Sequence, residues 1–362
     1  AQNMMRRAEK LLENTSEAQK AEKVADIRFP EPAPCGRTPI MAKDISKAYG
    51  SNIVFAGVNL AIDKGSRVVI LGYNGAGKTT AFNVVTGVYA PTNGAVWFEG
   101  RKIIENTPHG KMKKLYKGQN SSRYSHIIAP TPDKITQMGI ARTFQNIRLW
   151  KSQTVFENVL IAKHCRRSAN LLSATFRLNA DEEKRQREEC ENLLHVLGLE
   201  DVRNELATGL PYGLQRRGEI ARALATEPKL LLLDEATNGL DPVVRDEVTD
   251  MLLDFARDEE HSILISSHIV SDLEKLCDTI AFLHKGRLLL CEEKDALREE
   301  YALWHGTAAQ LAALDTRVYG KRVTPYGIEA LVRRDAMPAG AELAPVSIEE
   351  LFVLMVKGEC AE

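Results

Sequence analysis

A glycine-rich segment at residues 72–80 contains the residue types that are best suited to hold a phosphate group. Its sequence, GYNGAGKTT, fits the pattern G-x-x-x-x-G-K-[ST] at every position. Glycines let backbone N–H groups turn toward an anion, and the N-terminus of a following helix adds partial positive charge. Lys78 adds a full positive charge, and the Thr79 hydroxyl is placed to bind Mg²⁺. We expect a nucleoside triphosphate site here rather than a glycine-rich turn that binds nothing.

The segments on either side supply the context that this motif requires. Residues 67–71 (RVVIL) predict a short buried strand, and residues 81–85 (AFNVV) predict an apolar helix. A strand, a glycine-rich loop and a helix, in that order, form the unit that is typical of a phosphate-binding loop.

Two adjacent carboxylates are the second group of residues that could do chemistry. Asp234 and Glu235 directly follow four leucines at 230–233, which predict a buried strand. In a parallel sheet, ligand-binding residues lie beyond the carboxyl ends of the strands, which favours a site here over two acids that simply face solvent. Asp234 suits the coordination of Mg²⁺, and Glu235 suits a general base that polarises an attacking water. Together with the loop, these acids predict hydrolysis of the triphosphate.

Length and charge narrow the class of protein. The chain has 362 residues, which allows two or three domains, and a net charge of −1, which gives no global field to attract nucleic acid. No stretch approaches the roughly 18 consecutive apolar residues that a membrane span needs. The six cysteines show no C-x-x-C spacing, so we expect the reduced thiols of a cytosolic protein.

The order of strand and helix signals predicts an α/β fold. Short apolar strands alternate with helical segments around the phosphate loop, which favours a parallel sheet with helices on both faces. The expected strands are at residues 40–43, 54–62, 67–71, 94–100, 229–233, 262–266 and 279–283. Residues 154–203 are expected to be helical. Residues 101–137 show no helical or strand period, which predicts an exposed insertion.

Changes in composition divide the chain into three parts. Residues 4–25 predict a charged, solvated helix, with a basic docking arm as the alternative, and the proline-rich segment after them predicts a linker. We expect a charged helix and linker at 1–36, a nucleotide-binding domain at 37–293 and a C-terminal appendage at 294–362.

Several further segments resemble the motifs of the nucleotide-binding domain of the ATP-binding cassette (ABC) family, in the order that the family has them. They are Tyr49, Gln145 in RTFQN, residues 210–217 (LPYGLQRR), residues 238–241 (NGLD) and His268. The resemblance implies a P-loop NTPase fold with a parallel core sheet, an antiparallel β subdomain and a helical signature subdomain at about residues 146–216. It leaves residues 294–362 as a small α+β appendage.

The resemblance also assigns roles to individual residues. Tyr49 would stack on adenine, and Gln145 would sense Mg²⁺ and the attacking water and couple to a membrane partner. His268 would contact the γ-phosphate, so that catalysis falls to Glu235, His268 and Gln145. Mg²⁺ would be held by Thr79, Gln145 and Asp234. Nucleotide contacts are expected from Tyr49, Asn74, Gly75, Ala76, Gly77, Lys78, Thr79, Thr80, Gly213, Gln215 and Asp241.

Members of this family act in pairs, which sets the expected partners. Two domains sandwich two ATP molecules, and the signature loop of one domain closes over the phosphates held by the other. The resemblance therefore implies a second nucleotide-binding domain, identical or related, and a separate transmembrane permease. It places the protein in the cytoplasm, associated with the inner face of the cell membrane, with ATP and Mg²⁺ as cofactors.

The chain departs from the commonest family pattern in the signature. Pro211 stands where a serine hydroxyl would contact the γ-phosphate, and Gly218 stands where a leucine is usual. The signature and residues 81–232 resemble ATPases of branched-chain amino-acid importers. Residues 1–80 resemble ABC-F translation factors, and residues 245–362 resemble Gram-positive exporter ATPases. This pattern predicts a mosaic, recombined or engineered chain.

Two alternatives to a transporter ATPase follow from the same residues. The first is an ABC-F-like factor that binds the ribosome, in which case residues 1–28 would be the remnant of an interdomain linker and nucleic acid would be a partner. The second is an ATP-binding module that no longer turns over, because of Pro211 and Gly218.

Overall fold

The computed structural model describes residues 39–106, 131–166 and 180–357, apart from residues 269, 271, 272, 315, 326 and 339. The predicted N-terminal helix and linker, and the middle of the predicted insertion, lie outside the described residues.

The described residues form strands and helices whose bounds are as follows. The strands are β1 (Ile40–Tyr49), β2 (Asn52–Ile62), β3 (Arg67–Leu71), β4 (Asn93–Phe98), β5 (Arg101–Asn106), β6 (Ile140–Arg142), β7 (Leu230–Asp234), β8 (Ser262–Ser267), β9 (Thr279–His284), β10 (Arg287–Glu293), β11 (Tyr301–Gly306), β12 (Gly320–Thr324), β13 (Gly327–Arg333) and β14 (Leu343–Ala344). The helices are α1 (Lys78–Val85), α2 (Pro132–Met138), α3 (Val155–Lys163), α4 (Ala180–Val196), α5 (Tyr212–Leu224), α6 (Pro242–Phe255), α7 (Leu273–Leu276), α8 (Lys294–Glu300), α9 (Ala308–Ala313) and α10 (Ile348–Lys357).

A six-stranded sheet in the order β10-β9-β3-β8-β7-β6 forms the core and confirms the predicted parallel sheet. Strands β9, β3, β8, β7 and β6 run parallel, and only the edge strand β10 is antiparallel to its neighbour β9. All five residues of β7 are buried, because a central parallel strand is covered on both faces. In register, Leu71 lies opposite Ser267 and Asp234 lies opposite Ser266. The carboxyl ends of β3, β8 and β7 therefore meet at one edge.

The predicted antiparallel subdomain is a second sheet in the order β2-β1-β4-β5. Its last strand corrects the prediction that residues 101–137 lack regular structure, because β5 and α2 occupy the two ends of that segment. A register shift opposite Val96 and Trp97 buries both Ile103 and Ile104, so the side chains of β5 do not alternate between the two faces. That irregularity hid the strand from a search for period-2 alternation.

The segment predicted to be helical over 154–203 contains α3 and α4, with residues 167–179 outside the described part. Helix α3 begins with a capping box, in which Thr154 and Glu157 each accept a hydrogen bond from the other's backbone N–H. Helix α4 ends at Val196, so the prediction is wrong for residues 197–203. Gly198, with φ of 60°, takes the left-handed conformation that commonly ends a helix.

The C-terminal appendage is a third sheet, in the order β12-β13-β11-β14, covered by short helices. A small apolar cluster, including Trp304, Val318 and Val332, forms its own core. This arrangement confirms the expected α+β character of the appendage over its described residues, 294–357. In the ranges given above, no helix is both long and apolar enough to span a bilayer.

The cysteines of the described part carry free thiols, as expected for Cys165, Cys190, Cys277 and Cys291. Burial raises the pKa of the Cys190 thiol to about 12 and also raises the pKa of Cys277. Both thiols are therefore packing residues at neutral pH rather than nucleophiles.

The turn between β9 and β10 joins the core sheet to the antiparallel sheet. Gly286 in this turn has φ of 76°, and its carbonyl accepts a hydrogen bond of 2.9 Å from the Ala56 N–H in β2. A Cβ on Gly286 would lie 2.2 Å from the Val54 carbonyl oxygen, which is backbone and cannot swing away. The two sheets can pack at this distance only because residue 286 has no side chain.

We predict that Gly286→Ala lowers the free energy of unfolding by about 3 kcal/mol or more, measured by chemical denaturation with circular dichroism. Gly100→Ala is the matched control, because Gly100 has a similar φ of 73° but no atom within 4 Å of the added Cβ. Its expected loss is only the left-handed backbone term of about 1–2 kcal/mol. Equal losses in the two variants would contradict this account of the sheet junction.

Candidate functional site

A cleft with a volume of about 220 Å³ lies at the edge where β3 and β7 end. It is lined by consecutive residues 74–80 of the predicted phosphate loop, together with Val54, Gln145 and Glu235. Residues from four separate parts of the chain are thus brought to one place. The sequence motif and the predicted base face the same cleft.

The loop that precedes α1 has the backbone of an anion site. Gly75 and Gly77 take positive φ values of 83° and 101°, which are strained for residues with a Cβ. A Cβ on Gly72 would lie 2.6 Å from the Leu283 carbonyl oxygen, so the loop also needs glycine for close packing. Gly77 is the N-cap of α1 and provides no side-chain cap. The first N–H groups of α1 therefore face the cleft side of the loop without a capping side chain.

Lys78 is 5% exposed, and its ammonium group makes three contacts across the end of the sheet. Its Nζ donates to the Gly72 carbonyl at 2.5 Å and to the Ser267 carbonyl at 3.0 Å. The same Nζ lies 2.7 Å from Oε1 of Glu235. The ammonium charge of Lys78 therefore lies between the phosphate loop and the predicted base, Glu235.

Glu235 is 4% exposed and has a φ of 51°, an uncommon conformation for a residue with a Cβ. Its N–H donates to the Ser266 carbonyl at 3.1 Å, which holds this backbone conformation. Its second carboxylate oxygen, Oε2, lies 2.6 Å from Nδ1 of His268. A strained and fully partnered residue at the end of a strand is typical of a functional position. The structure therefore groups Lys78, Glu235 and His268.

Asp234 is completely buried and has a separate set of partners. The hydroxyl groups of Ser266 and Thr79 lie 2.7 Å and 3.3 Å from its Oδ1. Arg142 donates from Nη2 to Oδ2 at 2.9 Å. Burial lowers the pKa of Arg142, and the charge of Asp234 opposes that shift. Oxygen atoms of Thr79, Asp234 and Gln145 are the hard ligands that Mg²⁺ prefers, so the residues present fit that ion.

The backbone around Gln145 is held by the signature helix α5. Arg216, which is fully buried, donates from Nη1 to the Phe144 carbonyl at 2.7 Å and from Nη2 to the Gln145 carbonyl at 2.9 Å. Arg216 is also 2.8 Å from Oε2 of Glu219, whose other oxygen accepts from the N–H groups of Phe144 and Arg148. Burial raises the pKa of Glu219, and the charge of Arg216 opposes that shift. We call Arg216 and Glu219 the signature clamp.

His268, the predicted γ-phosphate contact, does not line the cleft but contacts Glu235, which does. Four further residues that were predicted to contact nucleotide are also not among the described residues that line the cleft. Tyr49 is 48% exposed, with its ring edge-to-face on Tyr89 at 6.2 Å. Gly213 and Gln215 lie in the first turn of α5. Asp241 is the N-cap of α6 and accepts from the N–H groups of Val243 and Val244 at 3.1 Å. The nucleotide-binding role of these four residues stays a prediction.

Sequence reasoning missed Arg142, Ser266 and the signature clamp. The clamp carried a weak signal, because Arg216 and Glu219 have opposite charges and are three positions apart, the spacing at which side chains meet on a helix. Arg142 and Ser266 carried none, since they meet Asp234 only through the order of strands β6, β7 and β8.

Comparison with known proteins places the chain in a family. The ABC transporter family matches residues 55–238, which is just over half of the chain. The branched-chain amino-acid transport ATP-binding protein BraF of Pseudomonas aeruginosa is 31% identical over 257 residues, covering 70% of this chain and 91% of that protein. The branched-chain amino-acid transport ATP-binding protein LivG of Escherichia coli is 31% identical over 242 residues, covering 66% of this chain and 85% of that protein. The lantibiotic transport ATP-binding protein SrtF of Streptococcus pyogenes is 30% identical over 264 residues, covering 70% and 90%.

Solved structures agree with this assignment. An ATP-binding cassette of an ABC transporter in its ADP conformation is 25% identical, with a TM-score of 0.56, and covers 72% of this chain and 93% of its own. A dimeric cassette in a post-hydrolysis state with ADP and phosphate is 24% identical, with a TM-score of 0.54, and covers 70% and 98%. Fold and site define an ATPase with the P-loop NTPase fold. The chain belongs to the ABC transporter family, as one of its ATP-binding subunits.

We predict that Arg142→Ala lowers the free energy of unfolding by about 3–5 kcal/mol, because it leaves the buried carboxylate of Asp234 without its cation. Denaturant unfolding followed by circular dichroism measures this loss. Arg298→Ala is the control, since Arg298 pairs with Glu274 at the surface, where an ion pair contributes about 0–1 kcal/mol. Similar losses in the two variants would show that the Arg142–Asp234 pair is not important for stability.

Proposed function

We propose that this subunit hydrolyses ATP at Glu235 and so drives a separate membrane permease. The observation that carries the proposal is the group of Lys78, Glu235 and His268 at the mouth of the phosphate loop. It combines a cation for phosphate, a carboxylate for water and a histidine that orients the carboxylate.

Nucleotide binding starts at residues 74–80, whose backbone N–H groups and Lys78 neutralise the phosphates. Thr79, Gln145 and Asp234 would hold Mg²⁺, which supplies charge neutralisation to the phosphate oxygens when bound. The Lys47 ammonium lies 4.9 Å from the centroid of the exposed Tyr49 ring. The face of the ring that is turned away from Lys47 offers the stacking surface for adenine. These assignments rest on residue type and position.

The ion pair between Lys78 and Glu235 links binding to catalysis. Phosphate oxygens entering the cleft compete with Glu235 for the ammonium group, because both are anionic and Lys78 is buried between them. Glu235 released from Lys78 keeps its contact with His268 and can accept a proton from a water molecule. ATP itself thereby frees the base that acts on it.

A second nucleotide-binding domain completes the site in this proposal. Gly213, Gln215 and Asp241 lie outside the cleft of their own chain, where they are available to a cleft on a partner. Pro211 precedes α5 and provides no side-chain cap, so the first N–H groups of that helix can serve an anion in trans. The likeness to a dimeric cassette supports this arrangement.

The permease is proposed to dock beside Gln145, at the inner face of the membrane. Trp150 and Leu206 are 58% and 50% exposed, although both are large and apolar. Leu206 forms a β-bridge with Thr154, and Asn158 holds the Trp150 backbone through hydrogen bonds of 2.7 Å and 3.2 Å. Large apolar side chains that are exposed on a held backbone are typical of a protein contact. The similarity to transport ATP-binding proteins favours this role over a ribosome-binding factor.

We predict that Glu235→Gln lowers kcat for ATP hydrolysis by about 10²–10⁴-fold, because an amide cannot accept the proton of water. A phosphate-release assay measures the loss. Binding of ATP is expected to persist, and the variant should form an ATP-dependent dimer in size-exclusion chromatography, because nucleotide is trapped unhydrolysed.

Glu299→Gln is the matched control for this prediction, because Glu299 is exposed in α8 and far from the cleft in the chain order. It should hydrolyse ATP like the parent protein. A Glu235→Gln variant that turns over at the parental rate would refute the base assignment.

We predict that Trp150→Glu reduces co-purification of the permease from detergent-solubilised membranes by at least about tenfold, since it places a charge in the apolar contact. Val323→Glu makes the same kind of change at a side chain that is 79% exposed in the appendage, and it should leave recovery unchanged. The amount of permease that co-elutes, identified by mass spectrometry, is the measurement. Equal recovery with both variants would place the docking surface elsewhere.

A further inference from the structure

The C-terminal helix α10 contacts the phosphate loop directly. The Phe352 ring in α10 lies 5.3 Å from the ring of Tyr73, the second residue of the loop motif, with an interplanar angle of 37°. The same ring lies 5.0 Å from Phe282 in β9, at an angle of 61°. Lys357, at the end of α10, places its ammonium 5.1 Å from the centroid of Tyr73. The appendage and the nucleotide site therefore share an aromatic contact.

The position of α10 is fixed by a cap at its start and by the packing of its buried face. A capping box starts the helix, because the Ser347 hydroxyl accepts from the Glu350 N–H and the Glu350 carboxylate accepts from the Ser347 N–H. The buried face then packs within the appendage, where the Leu354 carbonyl would lie 2.1 Å from a Cβ on Gly320. Phe352 is 4% exposed and reaches from that face to the core sheet.

Tyr73 is well placed to transmit this contact to the loop. Its carbonyl accepts a hydrogen bond of 3.1 Å from the Ala76 N–H, which closes the turn at the start of the loop. In the core sheet, Leu71, the residue of β3 that precedes the loop, pairs with Phe282 of β9, and Phe352 packs on Phe282. A ring held at residue 73 restrains the backbone on both sides of it.

We propose that Phe352 and Lys357 are positioning residues of the nucleotide site, which hold the phosphate loop in its binding conformation through Tyr73. The inference rests on the proposed function, in that the loop must bind nucleotide. A loop that is already ordered loses less conformational freedom on binding, so the contact raises affinity without touching the ligand. The ordered loop stabilises the bound phosphates equally in the ground state and in the transition state. We therefore expect a change in KM and no change in kcat.

The test is calorimetric titration of the full chain with MgADP, which has no γ-phosphate to be hydrolysed during the titration. Phe352→Ala is expected to weaken binding about threefold to tenfold, the effect of losing one aromatic pair. Tyr73→Ala should weaken it similarly, and the double variant should be no weaker than the poorer single variant, because both remove one interaction. In hydrolysis assays Phe352→Ala should raise KM for ATP and leave kcat unchanged.

Two variants separate positioning from stability. Leu354→Ala also removes a buried side chain from α10. It should lower the free energy of unfolding, additively with Tyr73→Ala, while MgADP affinity stays at the parental value. Lys357→Gln changes an exposed residue, cannot unfold the helix and should weaken MgADP binding about twofold to fivefold.

Parental affinity in both Phe352→Ala and Lys357→Gln would overturn the proposal, as would an equal loss of affinity in Leu354→Ala. A parent protein that does not bind MgADP at all would instead refute the proposed function, and this inference with it.

Discussion

Two adjacent carboxylates are buried at the end of β7, and each must have its own cation. Asp234 pairs with Arg142, and Glu235 pairs with Lys78. A buried charge without a partner is strongly unfavourable, so neither pair can be lost without a large penalty. Because Arg142 ends β6 and Lys78 starts α1, this requirement fixes the end of β6 and the phosphate loop on either side of β7. Both residues of the second pair, Lys78 and Glu235, line the cleft.

The two pairs differ in whether another anion can take the place of the carboxylate. Arg142 is held by Asp234 and also by Asn83, and it belongs to the framework. Lys78 faces the cleft, where a phosphate can take the place of Glu235. The same buried environment therefore makes one pair permanent and the other exchangeable. We regard this difference as the physical basis for coupling nucleotide binding to hydrolysis in this chain.

The cleft is also connected to two distant parts of the chain. The signature clamp ties α5 to the backbone of Gln145, so movement of the signature helix must move the residue beside the proposed permease surface. At the other end, Phe352 ties the appendage to Tyr73. The predicted mosaic origin of the chain stays a prediction, but a contact across residues 73 and 352 requires the two regions to be compatible. Nothing in the structure explains Gly218, since a Cβ there would make an ordinary contact with Leu149 at 3.5 Å.

Local patterns in the sequence were enough to predict the phosphate loop, the strand that ends in Asp234 and Glu235, the parallel core sheet and the α+β character of the appendage. Each of these depends on neighbours in the chain, such as glycines that permit positive φ or an apolar run that must be buried. Only the tertiary structure revealed β5, Arg142, Ser266, the signature clamp and Phe352. A bulge hid the alternation of β5, and the other residues act on partners that are from 32 to 279 positions away, apart from the pair within the clamp. Such pairings are decided by strand order and register, because these set which distant side chains share the end of a sheet.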